Sequence, residues 1–263
     1  MRSKLAFLSL LPLLLIFLPA IPAHASRPYL STESAVPIER EQSRLELGFL
    51  NERLDSKTSG YALVGELTSG LINNLDFEVE VPYRFLRVTD GENGLEDEDG
   101  LGDLKLKSKI RFIKGRVANP LSLSGQLIIK FPTCDEAKQL SSECTREPDV
   151  GLLAMASKEF FPVLVHLNVG YTFVGNPDGV TLDDAYNYSL AFDLQTAYEP
   201  VRVVSELAGE TSRNPEADSD LLALLLGVIY GVDLTKFVDL AFSIGLTEET
   251  PDYTFTVGFS YYF

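Results

Sequence analysis

The 263-residue sequence contains no tryptophan, two histidines, two cysteines and two methionines. Cys134 and Cys144 lie ten positions apart in a polar segment with no histidine near them. That pair makes a poor metal site, and in an oxidising compartment it reads as a loop disulfide. Positive charge is scarce as well, with 22 Lys+Arg against 38 Asp+Glu and a formal net charge of −16. A chain so acidic offers no basic surface for phosphates, which excludes nucleic acid as a partner. Long apolar runs are also missing after the first 25 residues. The nearest is LLALLLGVIY at 221–230, half of the ~20 residues that a membrane-crossing helix needs. A membrane protein without spanning helices has the closed β-barrel as its one remaining architecture.

Residues 1–25 read as a secretory signal peptide. Arg2 and Lys4 precede an apolar run, Leu5 to Leu18, and Ala23-His24-Ala25 supplies the small-x-small pattern for cleavage after Ala25. Without Arg2 and Lys4, 20 of the 22 basic residues remain against 38 acidic ones, a charge of −18. Residues 26–42 (SRPYLSTESAVPIEREQ) show no period and are expected on the periplasmic side. From Ser43 to Phe263 a different grammar takes over.

Its clearest sentence is the last, DYTFTVGFSYYF at 252–263. Tyr253, Phe255, Val257, Phe259, Tyr261 and Phe263 share one parity, and Thr254, Thr256, Gly258, Ser260 and Tyr262 share the other. A period of 2 with one aromatic face and one small, hydroxylated face is a strand between two different solvents. The ending resembles the C-terminal strand of bacterial outer-membrane barrels, which implies that Phe263 is part of the signal read by barrel-assembly machinery. The alternation recurs along the chain, most plainly at 75–88, 104–112, 163–173, 186–198 and 238–246, and it gives about twelve strands of about ten residues. Short connections (69–74, 115–120, 161–162, 199–200, 233–236) are expected to alternate with longer polar ones (55–60, 89–100, 133–148, 175–185, 211–219, 247–251), as turns and extracellular loops do in such barrels. Tyr and Phe near strand ends, among them Tyr171, Tyr186, Tyr198, Phe112 and Phe161, fit interfacial girdles. The sequence therefore predicts an all-β, antiparallel transmembrane β-barrel of about 12 strands, embedded in outer-membrane lipid and lipopolysaccharide.

The parity opposite the apolar one fills the lumen. Its charge concentrates on the third and fourth strands, as Glu78, Glu80, Arg84, Lys105, Lys107, Lys109, Arg111 and, one strand on, Lys130. Hairpin pairing is expected to set Glu78 and Glu80 across from the Lys109–Arg111 end, and Arg84 toward Asp103 and Lys105. Two readings follow: a structural ion ladder that stiffens the hairpin, or a polar stripe guiding solutes through the lumen. Glu96-Asp97-Glu98-Asp99 misses the spacing of a calcium loop and reads as a solvated acidic loop. His166 faces inward beside Asn168 and lacks a Ser at i+2, so no catalytic set is assembled along that strand. No cofactor and no metal are expected.

Three stretches, RPYLSTESA near residue 27, DGLGDLKLKSKIRF (Asp99 to Phe112) and VGFSYYF at the end, resemble the bacterial transporter family named for the MetA pathway of phenol degradation. Ser34 stands where that family more often has Asp. The resemblance implies an outer-membrane barrel for passive passage of small solutes, of aromatic or hydrophobic type by the family name. It carries over no catalytic residue. The competing reading is a closed structural or adhesive barrel acting through its acidic extracellular loops.

Overall fold

The computed structural model describes residues 31–54, 58–88, 98–116, 119–134, 146–177 and 181–263. Residues 1–30 lie outside that set, so the expected signal peptide does too, as do most of the acidic 89–100 loop and Cys144.

The described residues form thirteen strands. They are β1 (Ser43–Arg53), β2 (Thr58–Ile72), β3 (Leu75–Val88), β4 (Glu98–Leu101), β5 (Leu104–Ile113), β6 (Leu121–Phe131) and β7 (Asp149–Phe160), followed by β8 (Val163–Phe173), β9 (Ala185–Gln195), β10 (Val201–Glu210), β11 (Leu221–Gly231), β12 (Lys236–Gly245) and β13 (Tyr253–Tyr262). Every pairing between them is antiparallel, and β1 pairs with both β2 and β13, which closes the sheet on itself. β4 and β5 both pair with β3 and make one stave, so the barrel has twelve staves. The break at Gly102-Asp103 has a chemical cause on the facing strand. Pro82 has no N–H to give the ladder, and the chain bulges there, with Gly102 N donating to Pro82 O at 2.9 Å.

Alternation sorts the side chains as the period of 2 demands. On β13, Val257 is exposed at 42% while Ser260 is fully buried, and Phe263 just past its end is exposed at 59%. The exposed outer band is apolar on every stave and ends in aromatic rings. Near the long connections Tyr171 packs 4.8 Å from both Phe173 and Tyr186. Near the short ones Phe160, Phe161, Tyr198 and Phe263 stand outward. This is the surface of a transmembrane barrel, a lipid-facing belt between two aromatic girdles.

Two expectations need correction. Loop lengths do not alternate strictly: the β1–β2 connection, 54–57, is shorter than the 114–120 connection between β5 and β6. The first hairpin is tighter because β1 and β2 stay paired to their ends, Arg53 opposite Ser59. The second correction is larger. Residues 31–39, expected below the barrel, run inside it.

The entry of this strap is built for close approach. Arg40 bridges Gly70 beside the β2–β3 turn, and Gly70 N donates to Gln42 O at 3.0 Å. A Cβ on Gly70 would fall 2.0 Å from Glu39 O, so only glycine leaves room. Glu41 then turns the chain into β1 with φ at 66°, a left-handed conformation that costs a non-glycine residue free energy. From there the strap is pinned to five staves. Ile38 N donates to Asp76 Oδ2 on β3 at 2.9 Å, and Ala35 N to Ser157 Oγ on β7 at 2.8 Å. Ser124 Oγ on β6 donates to Ala35 O. Glu33 pairs with Lys109 on β5 at 3.0 Å. At the far end Glu206 Oε1 on β10 accepts from Ser31 N, Thr32 N and Thr32 Oγ1 at 3.0, 2.8 and 2.6 Å. Buried lumenal polar groups need partners, and the strap's backbone and short polar side chains supply them. The strap's partners are spread over five strands, and so no period shows.

Candidate functional site: the barrel lumen

Two unlike walls face each other across the lumen. On β10–β12 an apolar cluster shares the inward face with Arg202, Glu206 and Asp239. Val204, Leu225, Ile229, Phe237 and Ala241 form a buried cluster, and the Phe237 ring meets Tyr262 edge-on at 5.8 Å. On β1–β6 most of the lumen's charged side chains gather, among neutral polar ones such as Thr68, Ser124 and Gln126. All eight residues of the expected stripe lie on that side with their side chains buried or half-buried.

Their register differs from the expected one by about four residues. Glu78 faces Lys107, Glu80 faces Lys105 and Asp76 faces Lys109, while Arg84 faces Gly100 on the far side of the break. The bulge at Gly102-Asp103 separates two stretches that unbroken counting would have joined. Lys107 Nζ sits 2.8 Å from Glu78 and 2.7 Å from Glu80, and Lys105 Nζ 3.1 Å from Glu80. Arg44 extends the ladder onto β1, 2.7 Å from Glu46 and 3.6 Å from Glu78, and Thr68 Oγ1 donates to Glu78 at 2.9 Å. Taking one partner out of such a buried network strands the other, a loss of about 3–5 kcal/mol.

The rest of the stripe divides by depth. Lys130 pairs with Asp149 at 3.0 Å and Asp103 at 3.5 Å near the long connections. Arg111 lies at the opposite end and clamps the β2–β3 turn, with Nη2 donating to Asn73 O and Asn74 Oδ1, each at 3.0 Å. Arg111 is thus a turn clamp, apart from the Glu78–Glu80–Lys107 ladder. Asp103, freed by the bulge, accepts from Thr133 N and Cys134 N at 3.0 and 3.1 Å, which anchors the start of the long β6–β7 connection. Cys134 is buried and disulfide-bonded; Cys144 lies outside the described residues. Phe263 closes the β1–β13 seam, exchanging backbone hydrogen bonds with Ser43 at 2.8 and 2.9 Å, and its ring stacks on Tyr261 at 5.5 Å.

Several lumenal groups escaped the sequence reading. Glu66 sits on β2, whose alternation is blurred by Gly60, Gly65 and Gly70. Asp149 opens β7 beside residues of no clear period. Ser157 is the most instructive. It sits opposite His166 on the neighbouring stave and its Oγ lies 2.7 Å from His166 Nδ1. A search for Ser along the His166 strand could not find it; shared inward parity on adjacent strands could. Both residues are buried beneath the strap, and Ala35 N occupies the Ser157 hydroxyl.

Above the strap the lumen opens into a cavity of about 480 Å³. Ser31, Thr32 and Glu33 line it from the strap, and Lys105, Lys107 and Lys130 from the ionic wall. The toward-loop half of the lumen therefore has room for a solute, and the toward-turn half is crossed by the strap.

No protein-family profile matches this chain, and no curated protein does. Solved structures do. The COG4313 outer membrane channel from Pseudomonas putida F1 superposes with a TM-score of 0.71 at 14% identity, over 89% of this chain and 100% of that one. The NanC porin gives 0.58 at 8% identity and the KdgM porin 0.55 at 9%, each over 83% of this chain and 98% of the other. At these identities the likeness establishes the outer-membrane barrel fold.

Proposed function

We propose that the chain is an outer-membrane channel for passive passage of small solutes, with a resting state closed toward the periplasm by the 31–39 strap. One observation carries this: a closed twelve-stave barrel with a lipid-facing exterior holds a charge-lined cavity of about 480 Å³ in its own lumen. Twelve staves lie between barrels filled by side chains and those with wide aqueous channels. The three barrels above are an outer membrane channel and two porins, which supports the same reading. Export behind a signal peptide cleaved after Ala25, delivery by barrel-assembly machinery through an ending that includes Phe263, and residence beside lipopolysaccharide belong to it. Membership of the phenol-degradation transporter family, with aromatic or hydrophobic solutes, rests on the three sequence stretches alone.

A second reading is favoured by the strap itself. A barrel crossed in its turn-side half by its own chain is also what a closed structural or adhesive protein would have. Planar-bilayer recording on the purified, folded protein separates the two. Stepwise current supports the channel; silence from a barrel that passes the heat-modifiability test supports the closed one.

A further inference from the structure

We infer that Arg213 is a latch over the loop-side mouth of the cavity, so that a solute enters from that side only when it releases. This rests on the channel reading for its physiological use, not for its geometry. Glu210 ends β10 and Asp149 opens β7, with β8 and β9 between them in the sheet. Three stave intervals of about 4.8 Å make roughly 14 Å of wall, farther than one arginine side chain reaches. Arg213 nevertheless holds both carboxylates, Nε at 2.7 Å from Glu210 and Nη1 at 3.2 Å from Asp149. It can do so because the 211–220 connection leans across the β8–β9 connection, where Asp183 N donates to Arg213 O at 2.8 Å. All three members of the bridge line the cavity. The guanidinium thus spans the arc from β10 to β7 as a chord.

The bridge can open without stranding a charge. When Arg213 leaves, Asp149 keeps Lys130 at 3.0 Å on Oδ2 and Gly175 N at 2.9 Å on Oδ1. Glu210 keeps the amide of Asn187 on its other oxygen. Arg213 itself is 19% exposed and is followed by the exposed Asn214, Pro215 and Glu216, so its guanidinium passes directly into water. The ladder below is the opposite case. Withdrawing Lys107 takes a partner from both Glu78 and Glu80, and a buried carboxylate robbed of its cation is strongly destabilised. Partly exposed pairs are also the ones that salt screens. The cavity therefore lies between two closures of unequal strength, a strap pinned at many points and a latch made by one side chain.

The test is access to the cavity, read as the alkylation rate of a Gln126→Cys reporter in the folded full chain in detergent. Gln126 lines the cavity and lies on β6 four residues below Lys130, a drop of about 13 Å. Cys134 is disulfide-bonded and does not compete. The probe is N-(2-hydroxyethyl)maleimide, which is uncharged, so the field of the mouth does not steer it. Raising salt from 0.1 to 1 M shortens the Debye length from about 10 to about 3 Å and should speed labelling severalfold. Adding Arg213→Gln should speed it about tenfold at low salt and remove the salt dependence. Losing a nearby positive charge by itself raises a thiol pKa and slows the reaction, so acceleration reports access. A rate indifferent to salt, or one no faster with Arg213→Gln, would overturn the latch. The salt series needs no change at Arg213, and heat-modifiability reports the folding of each protein. Faster labelling in a barrel that passes no current would uphold the latch and end the channel reading. Stepwise current from a barrel whose labelling ignores Arg213 would do the opposite.

Discussion

The two halves of the lumen are built from the same twelve staves and solve opposite problems. Toward the short turns the inward residues are satisfied by a segment of the chain itself: Asp76 by Ile38 N, Ser157 by Ala35 N, Lys109 by Glu33. Toward the long connections the ion pairs close without the strap, as with Lys130, Asp149 and Arg213, and space remains. A barrel of this width does not fill itself. Whether it is a plug or a passage is decided by whatever the chain sends inside.

The heaviest blow to that division is to the ladder both halves share. Changing Lys107 and Lys109 to Glu places like charges against Glu33, Glu78 and Glu80 and breaks at least two buried pairs, at about 3–5 kcal/mol each. The denaturation midpoint should fall far enough to show in a heat-modifiability series. In molecules that still fold, reversal potentials should move toward cation selectivity. Folded variants with an unchanged reversal potential would place the ladder outside the conduction path.

How much of this was legible in the sequence follows the same division. The wall was readable, because a strand between lipid and water must alternate, and Glu78, Glu80 and the lysines of β5 announced their faces through Val79, Leu106 and Ile110. The register was not, since Pro82 and Gly102 shift the pairing through a bulge that counting cannot see. The strap was the least legible. Its order comes from partners as far away as Glu206, 174 positions from Thr32, and a segment placed by distant contacts leaves no local pattern.

A gentler change sharpens the strap's role. Glu206→Gln keeps the shape but replaces a charged acceptor of three donors with a neutral one, a loss of about 1–2 kcal/mol in favour of strap release. Bilayer openings should become about tenfold more frequent with no change in fold. Openings as rare as in the parent protein would mean that Glu206 merely fills space.

Smaller still is the effect expected at the seam. Phe263→Ala keeps the backbone bonds to Ser43 while removing the ring that stacks on Tyr261. A lower yield of heat-modifiable barrel in outer-membrane fractions would tie the ring to assembly, and an unchanged yield would reduce it to surface packing.

The least effect belongs to the loop at Asp184. The N–H of Val174 and the hydroxyl of Tyr171 hold its carboxyl below the usual range. A depressed folded value means that the anchor is intact above the ordinary carboxylate pKa and fades as pH falls through the folded one. Hydrogen exchange at Val174, referenced to Asp184→Asn, should lose its protection only in strongly acidic buffer. A loss already complete near pH 5 would contradict the anchor.

The most direct test of the closed turn-side half is unit conductance with and without the strap. The parent chain and a chain lacking residues 31–39 should be refolded, checked for heat-modifiability and recorded in the same bilayers. The parent is expected to give rare, small steps, and the shortened chain frequent steps several times larger. Identical conductance in two folded proteins would show that the strap does not occlude the path.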